Sequence, residues 1–326
     1  MSSAKSIELR GRRGRIVVHR WSANEPKFVT LIAHGIGEHA GRYAHVAARL
    51  VAEGATVYAP DFQGHGLSEG ERARFETIDD LVDELASVYQ AARKGHPELP
   101  VVLVGHSLGG LTSTRFVQRD QPELAALVLS GPVVGGNPQF EALLTMDPLP
   151  DVPIDPRILS RDPAVGEAYA ADALIYRGPL HRGTLEAIFA GARKVQEGPN
   201  FGDLPTLWIH GEGDVLAPLD VSTTAMNRIR GTRIEEHVYP GAQHEVLNEI
   251  NKDEVLNDVV LNQVLFRFGS DEETEAVLAA VQASGEAWMS GTIWQGRRAI
   301  RISVSNWSTT DDDVSRTLAA FAAAVP

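Results

Sequence analysis

The chain has 326 residues, enough for one large domain or two ordinary ones, and 43% of them are hydrophobic and 22% charged, the balance of a globular protein in water. A formal net charge of −13 argues against binding a phosphate backbone, and the absence of cysteine excludes disulfide scaffolds, thiolate metal sites and cysteine nucleophiles. No stretch approaches the roughly 20 uninterrupted apolar residues of a membrane span, and the start, MSSAKSIELRGRRGR, lacks the apolar core of a secretory signal, so a cytoplasmic location is expected.

The basic run Arg10, Arg12, Arg13 and Arg15 reads as a solvated hairpin beside the first strands, not as a nucleic-acid patch. RIVVHR (15–20) and FVTLIAH (28–34) are rich in β-branched residues and predict strands. Tyr43 to Glu53 predicts a helix with Val46, Ala47 and Leu50 on one face and Gly54 ending it. ATVYAP (55–60) is a short strand stopped by Pro60. Thr77-Ile78-Asp79-Asp80 resembles a capping box with Asp in place of Glu, opening a helix whose stripe is Leu81, Leu85, Val88 and Ala92. VVLVG (101–105) is a buried strand, and Leu108 to Gln118 continues as a helix. LAALVLS (124–130), PTLWIHG (205–211) and IEEHVYP (234–240) complete the strand set. Continuous apolar strands separated by helices predict an α/β fold, a mostly parallel sheet covered on both faces, with working residues at the carboxyl ends of its strands. From Gly131 to about Gly202 the alternation stops. Prolines and scattered apolar residues there, with short helices at Ala164–Tyr169 and Thr184–Lys194, predict a helical insertion over that edge.

GHSLGG (105–110) follows the strand VVLVG and opens a helix, the setting that a nucleophile elbow requires. Ser107 is the candidate nucleophile; the alternative is a serine that caps the helix. Its base and orienting acid follow in the chain order Ser, Asp or Glu, His. Of His181, His210, His237 and His244, only His244 lies in a loop after the last strand of the set. Asp214, in the glycine-rich turn after PTLWIHG, is the candidate acid, with Asp220 in reserve at the start of the next helix. The oxyanion donors are expected to be the backbone N–H of Leu108 and, after the His34-Gly35 turn, that of Ile36.

AHGIGEHAGRY, APDFQGHGLSEG, VVLVGHSLGG, LSRDPAVGEAY, HGEGDVLAP and GAQHEVLNE stand in the order seen in monoacylglycerol lipases of the α/β-hydrolase superfamily, which residues 8 to 258 resemble. The resemblance implies a Ser107–Asp214–His244 triad, an oxyanion hole at Ile36 and Leu108, and a cap at 133–200 between the core segments 1–132 and 201–258. It also implies a metal-free, cofactor-free hydrolysis of monoacylglycerols or similar short- and medium-chain esters through an acyl-serine. Glu38 and Arg42 match positions near the polar end of the relatives' substrate pocket; a buried ion pair is the alternative. Asp61, His65 and Gly66 match a motif that is structural there. Lysophospholipids or thioesters are rival substrates on the same fold, and a non-catalytic ligand-binding homologue is the rival class. The expected partner is a lipid or other small-molecule ester, with transient contact to lipid surfaces through the cap.

The last residues, 259–326, differ in composition. Three of the five tryptophans are there (Trp288, Trp294, Trp307), every basic residue is arginine, and the pattern predicts strand, helix, two strands, helix. From about Val255 to Val325, and most specifically at RISVSNWSTTDDDV, the segment resembles the small domain of pyridoxal-phosphate-dependent decarboxylases and related aminotransferases. That fold holds its cofactor through a lysine in a large domain missing here, and no lysine occurs from Val259 onward, so no Schiff base forms in this segment. Arg301, which matches a carboxylate-binding arginine of that family, is expected to be a relic or structural. A fusion with its joint between Lys252 and Asn262 is the expectation, with the tail packing on the hydrolase or mediating self-association.

Overall fold

A computed structural model of the chain describes residues 5–259, 263–287, 289–294, 297–303 and 310–325. Residues Trp288 and Trp307, the stretch 304–309 and the Arg301 side chain lie outside the described set. The chain divides into two compact units, Met1–Val255 and Leu256–Pro326.

The first unit is built on an eight-stranded sheet. The strands are β1 (Lys5–Gly11), β2 (Gly14–Ser22), β3 (Phe28–Ala33), β4 (Ala55–Pro60), β5 (Val101–His106), β6 (Ala126–Ser130), β7 (Thr206–Gly211) and β8 (Ile234–Tyr239). They lie in the order β1-β2-β4-β3-β5-β6-β7-β8. β1 and β2 form an antiparallel hairpin, β2 joins β4 antiparallel, and every later pairing is parallel. The helices that cross between parallel strands are α1 (Ala44–Ala52), α2 (Ile78–Gly95), α3 (Leu108–Asp120) and α7 (Leu219–Ile229). The central strands β4, β5 and β6 are buried along their whole length, which is why they read as unbroken apolar runs. The α/β-hydrolase architecture expected from the sequence is the one observed.

Local signals place the elements. Asp80 in the first turn of α2 accepts the Thr77 amide at 3.2 Å, so aspartate serves where a capping box usually has glutamate. The same carboxylate receives Arg12 at 2.7 Å, which ties the arginine-rich hairpin to α2. Arg13 pairs with Glu76 and Arg15 with Glu8 and Glu69, so these hairpin arginines are met by carboxylates rather than merely solvated.

Residues 133–200 contain α4 (Pro138–Leu143), α5 (Pro163–Ala171) and α6 (Arg182–Glu197), with no strand. The short helix α4 escaped the sequence reading, although Asn137 caps it and Pro138 occupies its first position. α6 is more than a surface element: Ala187, Ile188 and Val195 belong to the main hydrophobic core together with Ile78 and Phe116. After β8 the unit ends within α8 (Lys252–Val259).

The second unit carries β9 (Gln263–Phe266), α9 (Asp271–Ser284), β10 (Ser290–Trp294), β11 (Arg297–Ser303) and α10 (Asp311–Ala324). Its antiparallel sheet has the order β10-β11-β9. Val277 and Val281 of α9, Met289, Ile300 of β11 and Phe321 of α10 form a separate small core.

Candidate active site

The strand β5 delivers the chain to Ser107 in a backbone conformation that L residues rarely adopt, φ 54° and ψ −117°. Such a geometry costs on the order of 1–3 kcal/mol and persists only where the surroundings fix it. Here the Ser107 amide donates to Ser130 O at 2.9 Å, and Ser107 O accepts from Leu111 and Val133. The flanking glycines permit the turn. A Cβ on Gly109 would stand 2.0 Å from Ala33 O and 2.6 Å from His34 O. Gly109→Ala is therefore expected to displace the β3 end and destabilise the fold by about 1–3 kcal/mol, read as a lower midpoint in urea and a loss of activity out of proportion to it. A variant as stable and active as the parent would show that β3 and α3 do not need this approach.

Ser107 is 5% exposed and its hydroxyl makes no hydrogen bond among the described residues. It shares a cavity of about 800 Å³, mouth included, with His244. His244 lies in the loop after β8 and its Nδ1 is 2.7 Å from Asp214 Oδ2. Asp214 sits in the turn after β7. Its Oδ1 accepts the amides of Leu216 and Ala217, each at 2.8 Å, so the carboxylate is held by the backbone on one side and by the imidazole on the other. Burial opposes ionisation of Asp214, but His244, His210 and the Ala217 amide together hold it below the usual carboxylate range. Burial likewise opposes a charged His244, yet the adjacent Asp214 carboxylate raises its pKa above the ordinary histidine value. With Nδ1–H committed to Asp214, the neutral ring presents Nε2 as an acceptor. Asp220 lies in the first turn of α7 and is not the carboxylate at His244.

The loop after β3 is fixed from several directions. His34 Nε2 accepts the Phe62 amide at 3.0 Å, so its Nδ1–H donates to Gly35 O at 2.7 Å. The Gly35 amide donates to Glu38 Oε1 at 2.6 Å. Ile36 and Leu108 both line the cavity beside Ser107, and no acceptor among the described residues takes either amide. Leu108 is the first residue of α3, whose opening N–H groups have no partner within the helix.

Glu38 also accepts Tyr43 Oη at 2.6 Å and Arg42 at 2.7 Å. Arg42 continues into a bidentate pair with Glu245, both contacts at 2.7 Å. Burial works against the charge on Glu38, but the Arg42 guanidinium beside it holds its carboxyl below the usual carboxylate range. Glu38 and Glu245 line the cavity, whereas Arg42 spends its guanidinium on the two carboxylates and stacks over Tyr169 at 5.4 Å. The pair expected at Glu38 and Arg42 is thus a buried triad with Glu245, a residue the sequence reading did not single out although it follows His244 directly.

His106 was also passed over. Its ring lies 4.8 Å from that of His244, and burial followed by the neighbouring His244 lowers its pKa to about 4, so it packs as a neutral ring. His210 is buried, bonded to Ala217 O at 2.8 Å, and 3.4 Å from Asp214 Oδ2. His181 and His237 pair with Glu71 and Glu235 and do not line the cavity. Asp61, fully buried, accepts the Ala40 and Leu67 amides and His19, and a Cβ on Gly66 would overlap it, so this motif is structural. The remaining cavity wall is mostly apolar: Val133, Phe140, Ile154, Leu159, Leu180, Leu185, Ile188 and Phe189 from the inserted segment and Leu216 from the turn after β7, with Asn137 and Tyr169 also lining it. Among the described residues no cluster of His, Asp and Glu has the arrangement of a metal site, and no helix is long and apolar enough to cross a membrane.

Residues 24–251 match the model of the Hydrolase_4 family, described as serine aminopeptidase, S33. A monoacylglycerol lipase of Mycolicibacterium smegmatis is 35% identical over 255 residues, covering 75% of this chain and 91% of the relative. A human monoglyceride lipase is 30% identical over 244 residues, covering 72% and 80%. Among solved structures, a monoglyceride lipase from Saccharomyces cerevisiae in complex with a substrate analog superposes with a TM-score of 0.69 at 18% identity, covering 79% of this chain and 94% of that one. The monoacylglycerol lipase of Paleococcus ferrophilus gives 0.64 at 24% identity, covering 74% and 96%.

Proposed function

We infer the reaction of this chain from one premise: it belongs to the Hydrolase_4 family, within the monoacylglycerol lipase group of α/β-hydrolases. It is a serine carboxylic-ester hydrolase, and its substrate is a monoacylglycerol or a similar ester of a short to medium acyl chain. The observation that carries this reading is the Asp214–His244 contact at 2.7 Å opening on the same apolar cavity as the positive-φ Ser107. Ser107 Oγ attacks the ester carbonyl while His244 Nε2 takes its proton. The amides of Ile36 and Leu108 receive the oxyanion, and removal of one such donor typically costs about 3 kcal/mol of barrier. The alcohol leaves with the proton from His244, and water activated by the same nitrogen then releases the fatty acid from the acyl-serine. Residues 133–200 act as a cap whose apolar wall holds the acyl chain, worth ~0.8 kcal/mol per buried methylene. In this reading Glu38 and Arg42 shape the polar end of the cavity, and the cap makes the transient contact with lipid surfaces.

A series of monoacyl-, diacyl- and triacylglycerols of graded chain length tests the substrate. Monoacylglycerols are expected to be turned over fastest, with a rise in kcat/KM up to the chain length that fills the cap and a fall beyond it. Equal rates on mono- and triacylglycerols would rule out the proposed cavity fit.

For the tail we propose a fused segment related to the small domain of pyridoxal-phosphate enzymes, which serves self-association rather than catalysis. Its β-α-β-β-α order supports the relation. Its two outer strands β10 and β9 and the exposed Val314, Leu318 and Val325 on or beside α10 support the role, since a three-stranded sheet leaves edges to cover. Truncation after Asp258 is expected to retain ester hydrolysis and to lower the mass measured by light scattering to that of one chain. A truncated and a full chain of the same oligomeric state would overturn it.

A further inference from the structure

The loop that carries His244 runs between β8 and α8 with only a short helical turn, Val246–Asn248, inside it. Regular structure therefore does not set the position of the imidazole; side chains do. Glu249, fully buried, accepts the Gln243 amide at 2.8 Å, just before His244, and the Ile250 amide at 3.0 Å. A carboxylate this deep needs a cation, and Arg161 supplies it from the inserted segment. Its Nε–H donates to Glu249 Oε2 at 3.0 Å and its backbone amide to Oε1 at 3.1 Å. The rest of the guanidinium reaches both ends of the same loop, Pro240 O at 3.3 Å and Asn251 Oδ1 at 3.1 Å. The neighbours of Arg161 repeat the pattern: the Glu245 amide donates to Leu159 O at 2.8 Å, and Ser160 Oγ to Asn248 O at 3.0 Å. Residues 159–161 thus hold the loop on both sides of His244.

We propose that Arg161 is a positioning residue for His244, acting through Glu249, so that the inserted segment contributes to the chemical step as well as to substrate enclosure. This rests on the reading of His244 as the base. A displacement of about 1 Å at a reacting group costs on the order of 10²-fold in rate, and a planar guanidinium that bonds three points of one loop, beside a backbone amide that bonds a fourth, is the device that prevents it. The charged and titratable groups around His244 are Asp214, Glu245, Glu38, His106 and His210, and none of them is altered by changing Arg161.

The test uses the full chain with Arg161→Met, Arg161→Lys and Glu249→Gln, and Arg157→Gln as a surface control, since among the described residues the exposed Arg157 pairs only with Asp155. Arg161→Met is expected to lower kcat by roughly 10- to 100-fold with KM within about twofold, and to move the acid limb of the pH profile downward as Asp214 loses its grip on His244. Arg161→Lys keeps the charge but not the fork and is expected to fall between. The low-field proton resonance of His244 Nδ1 is expected to broaden in Arg161→Met and Glu249→Gln and to stay sharp in Arg157→Gln. A purely structural role would lower thermal stability yet leave the acid limb and the resonance in place, and that result overturns the proposal. If Arg161→Met proves unstable, Arg161→Lys and Glu249→Gln decide by the same readouts. Absence of ester hydrolysis by the unmodified chain would instead overturn the reading of the site, while the resonance would still decide the positioning.

Discussion

Replacing Ser107 with alanine is expected to lower kcat for a p-nitrophenyl ester by roughly 10⁶-fold, the scale of loss when a triad nucleophile is removed. Thermal stability should hardly change. The Ser107 hydroxyl has no hydrogen-bond partner to lose among the described residues, and alanine suffers the positive φ of 54° no more than serine does. The elbow is held by backbone contacts to Ser130, Leu111 and Val133, none of which the substitution touches. Activity and stability therefore separate cleanly here. An alanine variant that hydrolyses the ester as fast as the parent would falsify the proposed mechanism.

Asp214→Asn is expected to lower kcat by about 10⁴-fold, for a reason specific to this turn. Asp214 Oδ1 already accepts two backbone amides, from Leu216 and Ala217. An asparagine must place its oxygen there and turn its NH₂ toward His244. The imidazole then accepts at Nδ1 and carries its proton on Nε2, the nitrogen that has to receive the serine proton. The substitution also removes the charge that raises His244 against the effect of burial. Since the base works only when neutral, the parent enzyme should lose kcat/KM as pH falls through a value above about 6.5, and the residual activity of the variant should persist to lower pH. Steady-state kinetics between pH 5 and 9, as rough bounds of the histidine range, measure both. An unshifted acid limb would mean that another group controls it.

Much of this arrangement could be read from the chain because local rules suffice for it. Buried strands made continuous apolar runs, Gly54 and Thr77 marked helix ends, and a strand followed by GHSLGG announced a strained turn. Apart from α4, whose Asn137-Pro138 start was a local signal, the residues that escaped notice act through tertiary contacts with no local signature. Glu245 meets Arg42 across 203 positions and Glu249 meets Arg161 across 88, and nothing local in the sequence marks either glutamate as buried. Glu249 ends the same GAQHEVLNE stretch that contains His244, yet its burial is decided by residues 159–161, which only folding brings there. The arginine-rich hairpin was read as a solvated hairpin and is one; what the chain did not show is the pairing of Arg12 with Asp80 and Arg13 with Glu76, which lie more than sixty residues away.

The buried triad of Arg42, Glu38 and Glu245 has a bearing on how the reaction ends. Around the proposed reacting atoms stand, among the described residues, three carboxylates, Glu38, Glu245 and Asp214, against a single guanidinium. A neutral ester enters this field without an electrostatic cost. In the proposed reaction the fatty acid that leaves Ser107 is an anion as soon as it gives up its proton, and the same field then opposes it at short range in a poorly screened cavity. Hydrolysis at this proposed site is thus expected to convert a tolerated guest into a repelled one and to disfavour product retention at the step where an apolar chain alone would tend to stay bound.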